Sequence, residues 1–403
     1  MKQSTKNILL IALIIIIIAA IVYIDIKKPK HILPSDVADI AVPTVINTPL
    51  TTPLSKTATA SVATPSTPII LNRSAIQAQK AKIYSKGKEL VGIDGYINTP
   101  AFKLSDYAGK DVILIDFWTY SCINCQRTIP YLNAWYQKYK DQGLVIVGVS
   151  APEFDFEKNY NNVAAAVKQY GIKYPVVLDN EMQTWDAYNN EYWPAEYLID
   201  VDGYVVHTNF GEGNYAETEE AIQTALKERD AALGLPDTVP TGIVDPTNAV
   251  STDASQVQSP ETYFGAERNE YLANGTQNTT GSQTLMLPGM SVMNQNALYL
   301  EGTWNFNPQY AESTSSTAKI VYEYNAKNVY MVASSQNGVR AKVLIDGKPI
   351  DPSIAGSDVS ADGTVLIQAD KLYNLVKGSS YGAHTLELDV ESSGLDAYTF
   401  TFG

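Results

Sequence analysis

An uninterrupted apolar run, Ile8 to Ile24, stands out first in the pattern of the chain. As a helix rising about 1.5 Å per residue it covers roughly 25 Å, slightly short of a hydrocarbon core of about 30 Å. Lys2, Lys6, Lys27 and Lys28 flank the run and can snorkel to close that gap. The expectation is a single N-terminal transmembrane helix within residues 1–30. A cleaved signal peptide is the rival, but the run is long for a signal core and Tyr23-Ile24-Asp25-Ile26 is a poor cleavage site. From 31 to 71 the chain turns to Pro, Thr, Ser and Ala with no apolar face, which reads as a polyproline-like spacer.

Beyond the spacer the periodicities alternate. Asn72 to Ala81 reads as a helix, Ile93 to Leu104 as an early hairpin and Val112 to Phe117 as a buried strand. A helical pattern then starts at Cys122, with apolar Ile129, Leu132, Trp135 and Tyr136. Leu144 to Ser150 is a second buried strand, Glu157 to Tyr170 a helix stopped by Gly171, Val176 to Leu178 a short strand and Met182 to Tyr188 a short helix. Tyr197 to Ile199 and Val205 to Thr208 form a hairpin through Asp202-Gly203, and Ala216 to Leu233 closes the pattern as an amphipathic helix. Such alternation predicts an α/β layer architecture over 72–234.

Residues 235–259 are a second Pro/Thr/Ser/Asp-rich connector. Past it, over 260–403, lie short alternating strands at 297–299, 319–324, 329–332, 341–345, 365–368, 384–390 and 398–402, and no comparable helix pattern. An all-β sandwich is expected there.

Composition narrows the class without choosing a function. The 403 residues are 45% hydrophobic and 18% charged, enough for two cores, and the net charge of −14 argues against a nucleic-acid partner.

Chemistry concentrates between strand and helix. The chain has two cysteines, Cys122 and Cys125, in a C-x-x-C pair after a β-branched strand, the layout of a dithiol–disulfide redox site. The first sulfur falls at a helix N-terminus, where unpaired amides and the helix dipole favour a thiolate. A zinc site would need four ligands, and His31, His207 and His384 are scattered, so no metal is expected. Asp116, six residues before Cys122, is either the acceptor for the proton of a buried thiol or a strand-end acid pointing to water. Pro130 lies inside the helical pattern, and Trp193-Pro194 directly precedes an apolar strand.

In these residues the chain resembles the thioredoxin superfamily, which carries D-F-W-x-x-x-C-x-x-C, a proline five residues after the second cysteine and a cis-proline loop ahead of a strand. F-W-T-Y-S-C-I-N-C-Q-R, A-P-E-F-D-F-E, Y-W-P-A-E-Y-L-I-D and F-G-E-G are similar to the TlpA-like branch and to the C-terminal region of DipZ proteins. The resemblance runs from about Glu89 to the C-terminus. It implies an extracytoplasmic thiol-disulfide oxidoreductase, held at the membrane by 8–24, with a redox-active Cys122–Cys125 disulfide and no other cofactor. Cys122 would attack a partner disulfide and Cys125 would resolve the mixed disulfide, with Asp116 taking the proton of Cys125. Trp193-Pro194 would be cis, Trp118, Tyr120 and Trp193 would contact substrate, and Glu196 is a possible second acid, though such a residue is more often exposed.

The partners implied are disulfide-containing extracytoplasmic proteins and, for a reductant, a separate membrane electron donor, since DipZ proteins carry a multi-helix electron-importing domain ahead of this region. The β region resembles a carbohydrate-binding-module jelly roll, with Trp304, Tyr310, Tyr381 and Tyr398 as candidate glycan platforms, although aromatics at alternating strand positions are more often core. Two rivals stay open. Thr119-x-x-Cys122 partly matches the T-x-x-C of peroxiredoxins, with Ile115 where that motif has proline. The other is a non-enzymatic surface protein that binds a glycan or partner through its β-sandwich.

Overall fold

A computed structural model describes residues 73–250, 252–289 and 292–403. The apolar run at 8–24 and the spacer at 31–71 lie outside these residues. Among the described residues no helix is long and apolar enough to cross a membrane.

The α/β region begins with helix α1 (Arg73–Ile83), held by Lys80, whose ammonium pairs with Asp200, Asp202 and Glu228. A six-stranded sheet follows, built from β1 (Gly95–Ile97), β2 (Val112–Trp118), β3 (Leu144–Ser150), β4 (Val176–Leu178), β5 (Ala195–Ile199) and β6 (Val205–Phe210), in the order β1-β4-β3-β2-β5-β6. Strand β2 runs parallel to β3 and antiparallel to β5. It is central and buried along its whole length, which is why V-I-L-I-D-F-W reads as a continuous apolar run and not as an alternation.

Helices cover the two faces. On one, Leu114, Trp118, Ile146 and Leu198 pack with helix α2 (Ile123–Tyr139) through Ile129, Leu132, Trp135 and Tyr139. On the other, Ile113, Ile115, Phe117, Val147 and Tyr197 pack with Trp185 and Tyr188 around the short helix α4 (Gln183–Ala187). Helix α3 (Tyr160–Gln169) and helix α5 (Tyr215–Leu233) complete the first face, α5 ending at Gly234 with φ +67°.

Two expectations fail here. The early hairpin is one strand, β1, paired with β4. Asn98 leaves it at φ +64°, and the carboxylate of Glu89 accepts from the amides of Leu104 and Ser105, so the chain turns without a second strand. The helix expected from Glu157 starts at Tyr160, because Asp155–Lys158 is a 3-10 turn and the side chain of Asn159 caps α3.

The C-terminal region is β-rich, as expected, but several of its strands are longer than the short pattern suggested. Segments 319–324 and 329–332 belong to one strand, Ala318–Ser334, antiparallel to the strand Lys371–Val390 along most of its length. From Thr262–Tyr263 to Asp396–Phe402, the described strands join one hydrogen-bonded network, with Trp304, Tyr322, Phe400 and Phe402 in its core.

Both regions belong to one compact unit. Ile123 and Phe154 of the α/β region are buried with Tyr330, Val332, Leu372 and Tyr398 of the β region. Phe154 and Phe156 meet the ring of Tyr398 edge-on at 5.0 and 4.9 Å, and Arg268 pairs with Glu153 at 2.7 Å.

Candidate active site: a dithiol over two buried acids

Strand β2 ends at Trp118, four residues short of Cys122, and Cys122 is the N-cap of α2 in extended conformation. Its Sγ accepts from the amide of Cys125 at 3.2 Å, one of the first-turn donors that have no partner within the helix. Both thiols are free, Cys122 partly exposed and Cys125 buried. Burial, and then the neighbouring Cys122 sulfur, push the thiol of Cys125 well above its ordinary range. One sulfur is therefore reachable and the other is held protonated beneath it, an asymmetry that suits an attacking and a resolving thiol.

The loop carrying Cys122 is clamped from beneath by Glu157. One oxygen of this buried carboxylate accepts from Ser121 Oγ at 2.5 Å, and the other from the amides of Glu153 and Phe154 at 2.6 and 3.0 Å. Burial raises its pKa despite these bonds. Arg127 ties the other side. Its Nε and Nη2 grip Glu212 at 2.6 and 3.1 Å, and Nη2 also donates to Asn124 Oδ1, between the cysteines, at 2.7 Å. None of Glu157, Arg127 and Glu212 was picked out from the sequence. The signal was present, since all three stand inside the segments that carried the family resemblance.

Asp116 is 1% exposed and its carboxyl is pushed up to about 8 by burial alone. The strand-end, solvent-facing alternative is excluded. Glu196 is directly opposite it on β5, also 1% exposed, with its carboxyl at about 8 through burial first and the Asp116 charge second. Glu196 is thus a buried acid, not the exposed one that base expectation favoured. Its register is the reason: paired with Asp116, it shares the face that packs under α2 and α5.

The peptide bond Trp193-Pro194 is cis, and the Pro194 carbonyl accepts from Gly211 at 2.8 Å. Trp193 is partly buried, its ring tilted against that of Trp185 at 4.3 Å and its Nε1 donating to the Ala151 carbonyl at 3.0 Å.

This dithiol site lies within residues 89–208, which match the AhpC/TSA family, and residues 259–403 match the "Thioredoxin like C-terminal domain" family. Protein DipZ of Mycobacterium tuberculosis is 39% identical over 318 residues, covering 78% of this chain and 42% of that protein. Thiol-disulfide oxidoreductase ResA of Bacillus anthracis is 37% identical over 127 residues, covering 31% of this chain and 67% of that protein. The chain belongs to the thioredoxin-like thiol-disulfide oxidoreductases. It spans 42% of the length of the DipZ proteins it matches. A thioredoxin-like protein solved in its oxidized form is similar at 27% identity and a TM-score of 0.34, covering 36% of this chain and 98% of that one.

Other expected contacts of this oxidoreductase are displaced. Trp118 is 1% exposed, in the core under α2, because its position on β2 shares the inward face with Leu114 and Asp116; it does not face a partner. Tyr120 is also buried, with its hydroxyl donating to the Asp370 carbonyl of the β region at 3.1 Å. Among the glycan candidates, Trp304 is fully buried with its Nε1 donating to the Glu301 carbonyl, and Tyr398 is packed between the two regions. Tyr310 lies against Tyr398, and the Tyr381 hydroxyl accepts from the Asp253 amide at 2.9 Å. Strand alternation turned Trp304 and Tyr398 inward, whereas Tyr310 and Tyr381 are half-buried.

Proposed function

We propose that this chain is a membrane-anchored, extracytoplasmic enzyme that exchanges disulfides with partner proteins, held to the bilayer by 8–24 and spaced from it by 31–71. We read 72–234 as the redox domain, 235–259 as a connector and 260–403 as a jelly-roll-like sandwich. The observation that carries the function is the stacking of reactive groups by depth: a reachable Cys122 at a helix N-terminus, a buried Cys125 and a buried Asp116.

Cys122, as the thiolate, attacks one sulfur of the partner disulfide; that S–S bond breaks and a mixed disulfide forms. Cys125 gives its proton to Asp116 and attacks Cys122 Sγ. The Cys122–Cys125 bond forms, the partner leaves as a dithiol, and the protein carries the oxidised pair. No further cofactor enters these steps. Pro194 has no amide donor, and the Trp193-Pro194 loop would take an extended partner segment. Similarity to ResA and DipZ proteins supports a reductant that a separate membrane protein re-reduces.

The test is reduction of insulin disulfides by the reduced protein. Cys122→Ser is expected to abolish it, and undiminished activity in that variant overturns the assignment. The match of 89–208 to the AhpC/TSA family favours a second reading, a thiol peroxidase using Thr119 and Cys122. Consumption of hydrogen peroxide at enzymatic rates by the reduced protein would select that reading instead.

A further inference from the structure

The buried acids do not end at Glu196. Asp116 Oδ1 and Glu196 Oε1 are both buried without a hydrogen-bond partner. The second oxygen of Glu196, Oε2, meets the hydroxyl of Thr218 on α5 at 3.3 Å, and that hydroxyl meets Nε2 of His207 on β6 at 3.1 Å. Thr218 is fully buried, whereas His207 is partly exposed. Register brings the members together: Asp116 faces Glu196 across β2 and β5, and Leu198, two residues on, faces His207 across β5 and β6.

We propose that Glu196, Thr218 and His207 form a proton path that links Asp116, beneath the dithiol, to solvent on the β6–α5 side. The proposal rests on the disulfide-exchange reading of Cys122 and Cys125 and extends it. A bound partner protein covers the opening beside Cys122, so a proton arriving on Asp116 needs another way out. In the forward direction the S–H bond of Cys125 breaks and an O–H bond forms on Asp116. The Glu196 carboxyl protonates the Thr218 oxygen as the hydroxyl proton of Thr218 moves to Nε2 of His207, and the imidazolium releases one proton to water. The Glu196 carboxylate left behind takes the proton from Asp116. One proton enters and one leaves, no electron moves along the path, and re-reduction runs it in reverse.

The surroundings permit this. The titratable groups that face the acids are Cys125 from α2, Tyr174 from the loop before β4 and Tyr215 from α5, and His207 is faced by Glu217 of α5. Burial holds the imidazole below its ordinary range, which speeds its release of a proton at neutral pH.

The experiment is a stopped-flow single turnover of the full reduced chain with insulin in weak, non-transferring buffer, repeated with added imidazole. His207→Ala is expected to slow the turnover about a hundredfold, the low end of the usual range for a lost acid–base group, and imidazole but not sodium chloride should restore it. Thr218→Val should be slow, with Thr218→Ser near wild type. A wild-type rate in His207→Ala or Thr218→Val, or a slow His207→Ala rate that imidazole leaves unchanged, overturns the path. Should His207→Ala fail to fold, His207→Gln carries the same expectation, since it can pair with Thr218 but does not titrate near neutrality. Failure of the wild-type protein to reduce insulin would instead remove the exchange reading, so the two failures are distinct.

Discussion

Asp116 and Glu196 stand directly opposite each other on antiparallel strands β2 and β5, each 1% exposed and each with one carboxyl oxygen lacking a partner. Two carboxylates in such a place cannot both be charged cheaply. Desolvation penalises each ion, and the second would form beside the first. The pair therefore carries at most one charge, and the form with that charge on Asp116 is the one that can take the proton of the thiol above it.

Stability should fall as pH rises through this pair. Each carboxyl titrates near 8 in the folded protein and near 4 when unfolded, so the folded state binds more protons between those values. The stabilisation is fully present below about pH 4, is lost progressively upward, and changes little above pH 8. Asp116→Asn should flatten that slope and gain a few kcal/mol over wild type at pH 9 relative to pH 5. Denaturant titrations of the reduced proteins at the two pH values measure this, and equal slopes for both proteins would contradict it.

The same substitution should slow the resolving step. Without an acceptor beneath it, Cys125 keeps its proton, and the mixed disulfide persists. The expected loss is about a hundredfold in the rate of partner release. Quenching the reaction with acid and separating species on non-reducing gels reads the intermediate directly. Cys125→Ser should freeze it altogether and allow the natural partner to be identified; no adduct in that variant would argue against Cys122 as the attacking sulfur.

Glu157 is expected to matter for both folding and rate. Glu157→Ala leaves Ser121 Oγ and the amides of Glu153 and Phe154 without their acceptor. Loss of that buried set should cost about 2–4 kcal/mol in urea unfolding. Glu157→Gln keeps one carbonyl acceptor and should cost less. The alkylation rate of Cys122 should change in both, because Ser121 sets the chain immediately before it.

The contact between the two regions is testable through Tyr398. Its ring fills the space between Phe154, Phe156 and Tyr310. Tyr398→Ala should destabilise the protein by about 3 kcal/mol, the usual cost of truncating a buried aromatic. Faster proteolysis within 235–259 should accompany it if the two regions separate. An unchanged unfolding midpoint would show that the packing contributes little.

The reactive centre was legible in the chain because its determinants are local. A β-branched run ending before C-x-x-C, a proline inside the next helix and a proline ahead of a later strand are each written in adjacent residues, and β2, α2 and β5 follow from them. The β-rich character of 260–403 was legible for the same reason, through period-two alternation. Where a local pattern could be satisfied in two ways, the expectation slipped, as in the hairpin that became β1 alone and the helix that yielded to the turn at Asp155–Lys158.

What contacts at long range decide was not legible. Whether Asp116 meets water or protein depends on which strand lies beside β2, and only the pairing with β5 sets Glu196 against it. Trp118, Tyr120 and Trp304 looked like surfaces for a partner and proved to be interior, because pleat and register choose the face that each ring takes. The sequence by itself determined the chemistry, since two sulfurs three residues apart at a helix start need no distant help to meet. Tertiary structure decided the electrostatics, since burial and a neighbour across the sheet are properties that no short stretch of chain possesses alone.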